Sequence, residues 1–407
     1  MADIQMIDHR LAGGEIMPRT VSGKPKFAYV DCLRGYAVLM VIICHTTYAI
    51  PQLPYPVHRL GAFGWHGVQL FFLSSCLTLL MSAHYERDRT GQVSGMDFFI
   101  RRFLRIAPMY YLAAAFYWLI DPAKDANLGQ LLASLLFVNA WHPVTTTTTG
   151  AWQVVPGGWS IGVEFTFYFL FPLFISFISG FRRAALFLIL MLLLGAVLDQ
   201  VLMPVLSVRF GDMAADNFLY FWFFNQAPVF VLGAMAFFTI RAVERRPDWR
   251  LTGLLRRNGA AVVIFSLFLL LLVAMAPFPF SHQLMLKPAI PQFLAASGAF
   301  FVFILAMSQS RSALLINPLI AGVGKVSFSA YLLHFAVIEL VLNNHANFFH
   351  LGATGWTAIG VFLFSVLVVS VLPCLASAVP YALVEKPMMR LAKKLTRGPV
   401  RAAPAAA

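Results

Sequence analysis

Apolar runs of membrane-spanning length recur along this chain, and they constrain its fold more than any other feature of the sequence. A spanning α-helix needs about 20 mostly apolar residues, because the hydrocarbon core of a bilayer is about 30 Å thick. The runs lie near residues 27–50, 62–83, 103–120, 128–141, 159–180, 184–205, 217–240, 258–276, 292–308, 326–343 and 357–384. We therefore expect an all-α, polytopic transmembrane helix bundle.

The composition also indicates that the chain is embedded in lipid. Of its 407 residues, 60% are hydrophobic and 12% are charged, whereas a soluble domain is about a quarter charged. A net charge of +13 would suit nucleic acid, but the basic residues lie between apolar runs, where the positive-inside rule places them. The expected partner is the lipid bilayer, and no nucleic acid is expected.

The positions of Lys and Arg decide how many runs cross the membrane. The run 128–141 reaches only about 21 Å as a helix, so we interpret it as a short re-entrant or interfacial helix. With the N-terminus inside, about ten spanning helices then leave few basic residues outside, namely Arg59, Lys124, Arg209 and Lys287. A crossing by 128–141 would instead place the six arginines of 241–257 outside, against the positive-inside rule.

This threading divides the chain into three parts, with both ends in the cytoplasm. We expect a cytoplasmic segment over 1–26, a transmembrane domain over 27–390 and a basic, disordered cytoplasmic tail over 391–407. The four cysteines show no metal-ligand spacing, so neither a metal site nor a structural disulfide is expected. No tightly bound cofactor is expected either.

Ionisable side chains inside spanning helices are functional candidates, because burying them in lipid costs several kcal/mol. Arg34 and His45 lie in the first run, in the stretch DCLRGYAVLMVIICH. A separation of 11 positions places them on one face of a helix, about 16 Å apart. The alternative is that Arg34 extends to the inner headgroups and His45 only packs against a neighbouring helix.

Glu164 is a second ionisable candidate, in the stretch GGWSIGVEFTFYFLFP. In the ten-helix threading it lies about 7–8 Å below the outer interface, at a depth similar to that of His45. A carboxylate bonded to one imidazole nitrogen fixes the tautomer and makes the other nitrogen a better base. We therefore expect Glu164 to orient His45, with a role in helix packing as the alternative.

The remaining candidates are neutral or basic residues that could bind a ligand. Ser327, Tyr331 and His334 form one helical stripe, with His334 expected near the depth of Arg34. Ser75 is a small polar residue within a run, where packing is the commoner role. Three arginines of the segment RRFLRIAP are expected either to bind donor phosphates or to contact anionic lipid: Arg101, Arg102 and Arg105.

Together these motifs resemble the acyltransferase 3 family of membrane O-acyltransferases over residues 27–390. The resemblance rests on Arg34 and His45 with ten residues between them and on the segments GVQLFFLSS, RRFLRIAP, WSIGVEFTFYFLFP, AYLLH and YALVEKP. The chain departs from the family pattern at Cys76, where a glycine usually follows the serine. The resemblance implies that Arg34 and His45 are essential.

The resemblance also implies transfer of an acyl group, often acetyl, from acyl-CoA to hydroxyls of cell-surface or secreted glycans. It implies a prokaryotic cytoplasmic membrane, a glycan or lipid-linked saccharide as acceptor, and polysaccharide biosynthesis machinery as a possible partner. In this hypothesis His45 is the general base, with an acyl-His45 intermediate as a variant. The alternative class is a solute or proton-coupled transporter, since a proton relay also uses buried ionisable groups.

Overall fold

The structure is a computed structural model that describes residues 28–120, 127–146, 154–276, 291–310 and 312–396, and no β-strand occurs within these ranges. The α-helices are α1 Ala28–Tyr48, α2 Tyr55–Ala62, α3 Gly67–Thr90, α4 Gly95–Ile120, α5 Leu128–Leu135, α6 Trp159–Phe177, α7 Phe181–Phe210, α8 Asp212–Phe221, α9 Phe223–Arg245, α10 Arg250–Arg257, α11 Gly259–Met275, α12 Gln292–Gln309, α13 Pro318–Lys325, α14 Ser327–Val337, α15 Ala346–Phe349, α16 Gly355–Ala376, α17 Ala378–Pro380 and α18 Lys386–Leu395. Short 3₁₀ turns cover Phe63–His66, Asn139–Trp141 and Asn343–His345, and π-helical turns cover Ile338–Leu342 and Tyr381–Glu385.

The described helices confirm a polytopic membrane bundle. Eight helical stretches are long and apolar enough to cross a membrane: Ala28–Tyr48, Tyr55–Asp88, Gly95–Ile120, Trp159–Phe177, Phe181–Phe210, Asp212–Arg245, Gln292–Gln309 and Gly355–Leu395. Two bent pairs raise the number to 10 if each pair is one span, with a bend of 89° between α10 and α11 and of 78° between α13 and the helix that starts at Ser327. The prediction of about ten spans is therefore confirmed within the described part of the chain.

The run 128–141 is too short to cross the membrane, as predicted. It forms the eight-residue helix α5 followed by a 3₁₀ turn, and eight residues span only about 12 Å. Phe137, between these two elements, lies face to face with Phe165 of α6 at a centroid distance of 3.7 Å. Its backbone adopts a φ of 60°, which is uncommon for a bulky residue.

Helix α1 lies at the centre of the bundle and packs against α3, α13, α14 and α16. Its contact with α13 is a backbone contact, because a Cβ atom at Gly324 would overlap the carbonyl oxygen of Asp31. One turn further along α1, a Cβ at Gly35 would overlap the carbonyl oxygen of Ile320. Glycine at both positions therefore lets α13 lie directly against the first part of α1. Helix α14 follows α13 and so begins beside the same part of α1.

Three further glycines hold the chain before α3 against the second half of α1. A Cβ atom at Gly61 would overlap the Thr47 side chain, and Cβ atoms at Gly64 and Gly67 would overlap backbone oxygens of α1. The 3₁₀ turn Phe63–His66 is consequently pressed onto α1 close to His45.

Parts of the predicted domain division lie outside the described residues. The segment 1–26 is one of them, and so are residues 397–407 of the predicted tail. The tail was expected to begin at 391, whereas α18 continues to Leu395.

The α1–α13 contact predicts a position-specific effect of adding one methyl group. We expect Gly324→Ala to destabilise the protein by about 1–3 kcal/mol, because overpacking forces the two backbones apart. Gly322→Ala is the matched control, since a Cβ at Gly322 meets open space and alanine favours helix. Thermal unfolding in detergent should show a lower Tm for Gly324→Ala only, and equal Tm values would contradict the packing role.

Candidate active site

A cavity of about 670 Å³, including its open mouth, lies between α1, α3, α4, α6 and α14. Its polar lining includes seven of the residues selected from the sequence: Arg34, Ser75, Arg102, Arg105, Glu164, Ser327 and Tyr331. The rest of the lining is mostly apolar, including Val68, Phe71 and Ile106. Residues from five helices and from distant parts of the sequence thus meet around one space.

The arginines make one end of the cavity basic. Arg34 donates from Nη2 to Oγ1 of Thr78 at 3.1 Å. The Thr78 hydroxyl itself donates to the backbone oxygens of Ser74 and Ser75, so its lone pairs face Arg34. Arg102 lies over the rings of Phe98 and Tyr168, with its Cζ 5.8 and 6.0 Å from the two centroids. Both guanidiniums are therefore held in place by α3, α4 and α6.

Glu164 is the one carboxylate among the residues that line this cavity. Ser75 donates a hydrogen bond of 2.5 Å to its Oε1, and the Tyr168 side chain also bonds to it. Three guanidiniums from Arg34, Arg102 and Arg105 face this one carboxylate, so the cavity lining has a net positive charge. In a low-dielectric interior such a space favours an anionic ligand.

Glu164 does not orient His45, and that prediction is wrong. Its carboxylate lies with Ser75 in the basic part of the cavity, whereas His45 bonds to His334. The reason is the start of α6, which lies inside the bundle: a Cβ at Gly158 would lie 2.7 Å from the Tyr110 hydroxyl. Glu164 is therefore deeper than a helix starting at the outer interface would place it.

His334, which is buried, and His45, which is partly exposed, form an imidazole pair. Nε2 of His334 lies 3.0 Å from Nδ1 of His45, and Nδ1 of His334 lies 2.6 Å from the backbone oxygen of Tyr331. His334 was expected near the depth of Arg34, and that expectation is wrong. Because α13 lies beside the first part of α1, α14 starts within the bundle and carries His334 to the level of His45.

The hydrogen bonds of this pair define the protonation of both rings. A carbonyl oxygen only accepts, so Nδ1 of His334 carries a hydrogen and, in the neutral ring, its Nε2 is an acceptor. Nδ1 of His45 must then donate to His334, and this leaves the lone pair of His45 on Nε2. The sequence predicted that the carboxylate of Glu164 fixes the tautomer of His45. In the structure His334 and the backbone oxygen of Tyr331 fix it instead.

Tyr331 connects the cavity to the histidine pair. Its hydroxyl donates to the backbone oxygen of Gly157 at 2.9 Å and lies 2.9 Å from Oγ of Ser160. Gly157 has a φ of +75°, a conformation that glycine adopts readily. Tyr331 lines the cavity, and His334 follows it by three residues on α14. The cavity therefore reaches to within one helical turn of the imidazole pair.

The three predicted phosphate-binding arginines separate in the structure. Arg102 and Arg105 line the cavity, but Arg101 forms an ion pair of 2.5 Å with Glu86 of α3. Adjacent residues on a helix point about 100° apart, so the three side chains cannot share one direction. The structure thus places Arg101 in an α3–α4 contact.

Sequence reasoning missed three polar residues of the site. Thr78, Ser160 and Tyr168 bond to Arg34, Tyr331 and Glu164 respectively. Glu385 was also missed, although YALVEKP contains it, and it is buried and accepts a hydrogen bond from Ser329 of α14. A polar residue within an apolar run was the available signal for each of them. Within the described ranges, no group of His, Cys, Asp and Glu could hold a metal ion.

The Ser75–Glu164 bond predicts a stability difference between two adjacent serines. Ser75→Ala removes a donor to a partly buried carboxylate, which we expect to cost about 1.5–3 kcal/mol. Ser74 is also buried, but its hydroxyl bonds only to a backbone oxygen of its own helix, so Ser74→Ala should cost much less. The free energy of unfolding in detergent is measured for both variants. An equal loss of stability in the two would contradict the role of the Glu164 carboxylate.

Comparisons with known proteins agree with this architecture. A family model described as acyltransferase domain, that of acyltransferase 3, matches residues 27–375. The peptidoglycan O-acetyltransferase OatA of Listeria monocytogenes is 25% identical over 343 residues, 80% of this chain and 51% of that protein. The acyltransferase MdmB of Streptomyces mycarofaciens is 25% identical over 394 residues, 91% of this chain and 93% of that protein.

A third relative extends the same pattern. The O-acetyltransferase OatA of Staphylococcus aureus is 23% identical over 384 residues, 89% of this chain and 57% of that protein. The chain thus spans about half the length of the two OatA proteins. No solved structure matches it significantly. Because the family model covers most of the sequence, including Arg34, His45, Glu164 and His334, the chain belongs to the acyltransferase 3 family of membrane proteins.

Proposed function

We propose that the protein transfers an acyl group, acetyl in the simplest case, from acyl-CoA to a hydroxyl of a surface or secreted glycan. One observation carries the proposal: a cavity that is basic at one end approaches, at Tyr331, a histidine pair with a defined lone pair. The acceptor class is supported by the OatA relatives, which are named O-acetyltransferases, one of them for peptidoglycan.

The basic end of the cavity suits the phosphates of the donor. Guanidiniums bind phosphate oxygens through charge-assisted, often bidentate, hydrogen bonds, and Arg34, Arg102 and Arg105 line this end. We infer that it faces the cytoplasm, since the positive-inside rule places both chain termini there, in a prokaryotic cytoplasmic membrane. The apolar part of the lining then receives the pantetheine arm and brings the thioester toward Tyr331.

The histidine pair supplies the proton transfer. In the proposed step Nε2 of His45 accepts the proton of the acceptor hydroxyl as its oxygen attacks the thioester carbonyl. The carbon–sulfur bond breaks, and the thiolate of CoA leaves and takes up the proton from the imidazolium. His334 accepts from Nδ1 of His45 throughout, which keeps the ring oriented and stabilises the imidazolium.

The role of His45 predicts a large loss of rate. We expect His45→Ala to lower acceptor-dependent CoA release by about 10²- to 10⁴-fold, the usual contribution of a general base, with little change in the KM for donor. His345→Ala, at an exposed position, is the control. Wild-type turnover by His45→Ala in proteoliposomes would disprove the assignment, and solute uptake without donor consumption would favour a transporter.

The separation of the arginines predicts different effects of two neighbouring substitutions. Arg102→Gln should raise the KM for acyl-CoA about 10- to 100-fold, because a charge-assisted bond contributes about 1.5–3 kcal/mol. Arg101→Gln should change it less than about twofold, because Arg101 is paired with Glu86. Initial rates at varied donor concentration test this. A larger effect of Arg101→Gln would place the donor outside the cavity.

A further inference from the structure

Two aromatic rings outside the histidine pair lie close to His45, those of Phe335 and Trp65. The ring centroids of Phe335 and Trp65 lie 4.3 and 6.4 Å from that of His45. His45, Trp65 and Phe335 are each partly exposed, whereas Tyr220 and Phe221 behind Trp65 are buried. His45 is also only three residues from the end of α1, about 5 Å along the helix. These partly exposed rings therefore lie together close to one end of the bundle.

Trp65 is held in place by a side-chain hydrogen bond and by its packed backbone. Its Nε1 donates to the hydroxyl of Tyr220 at 2.5 Å, and Gln69 donates to the same hydroxyl at 3.0 Å. Gln69 also bonds to Gln226. The backbone around Trp65 is fixed as well, because the glycines on either side of the 3₁₀ turn contact α1. A buried network of amides costs free energy in a membrane unless every member is bonded, and here it fixes one indole ring.

This geometry suits a cyclic acceptor with several hydroxyls. The C–H groups of a pyranose carry a partial positive charge and pack against the negative face of an aromatic ring. The centroids of His45 and Trp65 lie 6.4 Å apart, so a pyranose whose hydroxyl bonds to Nε2 of His45 is large enough to reach the indole. Trp65 is not among the residues that line the basic cavity, so donor and acceptor need not compete for the same space.

We propose that Trp65 forms the wall of an acceptor subsite that binds a pyranose ring through its C–H face. The proposal rests on the proposed function, since it needs His45 to act on an acceptor hydroxyl. It adds a specificity residue: Trp65 contacts the acceptor and not the donor. Tyr220 is a positioning residue that acts through the indole.

The test compares two apolar replacements that differ in aromaticity. The reconstituted protein is assayed by CoA release from acetyl-CoA, using the best acceptor from a panel of soluble mono- and oligosaccharides. Trp65→Leu should raise the KM for that saccharide about 5- to 10-fold, and Trp65→Phe should stay within about threefold, because a ring is retained. The KM for acetyl-CoA should not change in either variant, because Trp65 is not among the residues that line the basic cavity.

Two controls separate this inference from a general loss of function. Trp356→Leu removes an indole that is 88% exposed at the start of α16, and all kinetic constants should stay at wild-type values. Glycerol as acceptor should react equally with wild type and Trp65→Leu, because it has no ring. Equal saccharide KM values for wild type, Trp65→Leu and Trp65→Phe would overturn the subsite. A wild-type protein that acylates no saccharide in the panel would instead overturn the proposed function.

Discussion

The direct backbone contact between α1 and α13 determines where the other groups of the site lie. Only glycine permits it, at Gly35 and Gly324, because a Cβ atom at either position would overlap a carbonyl oxygen of the other helix. The bend that follows α13 starts α14 within the bundle, so that His334 reaches His45 and Tyr331 reaches the cavity. A contact between two backbones thus positions His334, the partner of the proposed proton acceptor His45.

The second constraint is electrostatic. Charged groups in a lipid-embedded bundle must be compensated, and the site does this unevenly. Arg101 is neutralised by Glu86 and Glu164 is bonded by Ser75, but the lining of the cavity holds three arginines, Arg34, Arg102 and Arg105, and one carboxylate. The net positive charge of this lining favours an anionic ligand. Rigid supports such as Thr78 for Arg34 keep these guanidiniums in place before the ligand binds.

The sequence predicted the helices and most of the polar residues of the cavity lining, but it did not predict the pairing of the ionisable groups. Apolar runs and basic loops are local features, and they led correctly to the bundle and to the short segment 128–141. Pairing depends on depth, and depth was inferred from straight helices that start at an interface. Helices α6 and α14 both start inside the bundle. Glu164 therefore lies with the arginines of the cavity, where His334 was expected, and His334 lies beside His45, where Glu164 was expected. The direction of Arg101 likewise depends on Glu86, which no local pattern connects to it.

A pair of histidines has a chemical consequence that a histidine–carboxylate pair would not have. A carboxylate beside His45 would favour the imidazolium and add a negative charge near the acceptor, whereas neutral His334 fixes the same tautomer without adding charge. The carboxylate is found instead among the arginines, where it partly balances the positive charge of the cavity lining. Charge is therefore concentrated at one end of the site, and the other end is built from neutral imidazoles, amides and aromatic rings. In the proposed reaction, an acyl group that passes from anionic acyl-CoA to a neutral hydroxyl encounters these two environments in that order.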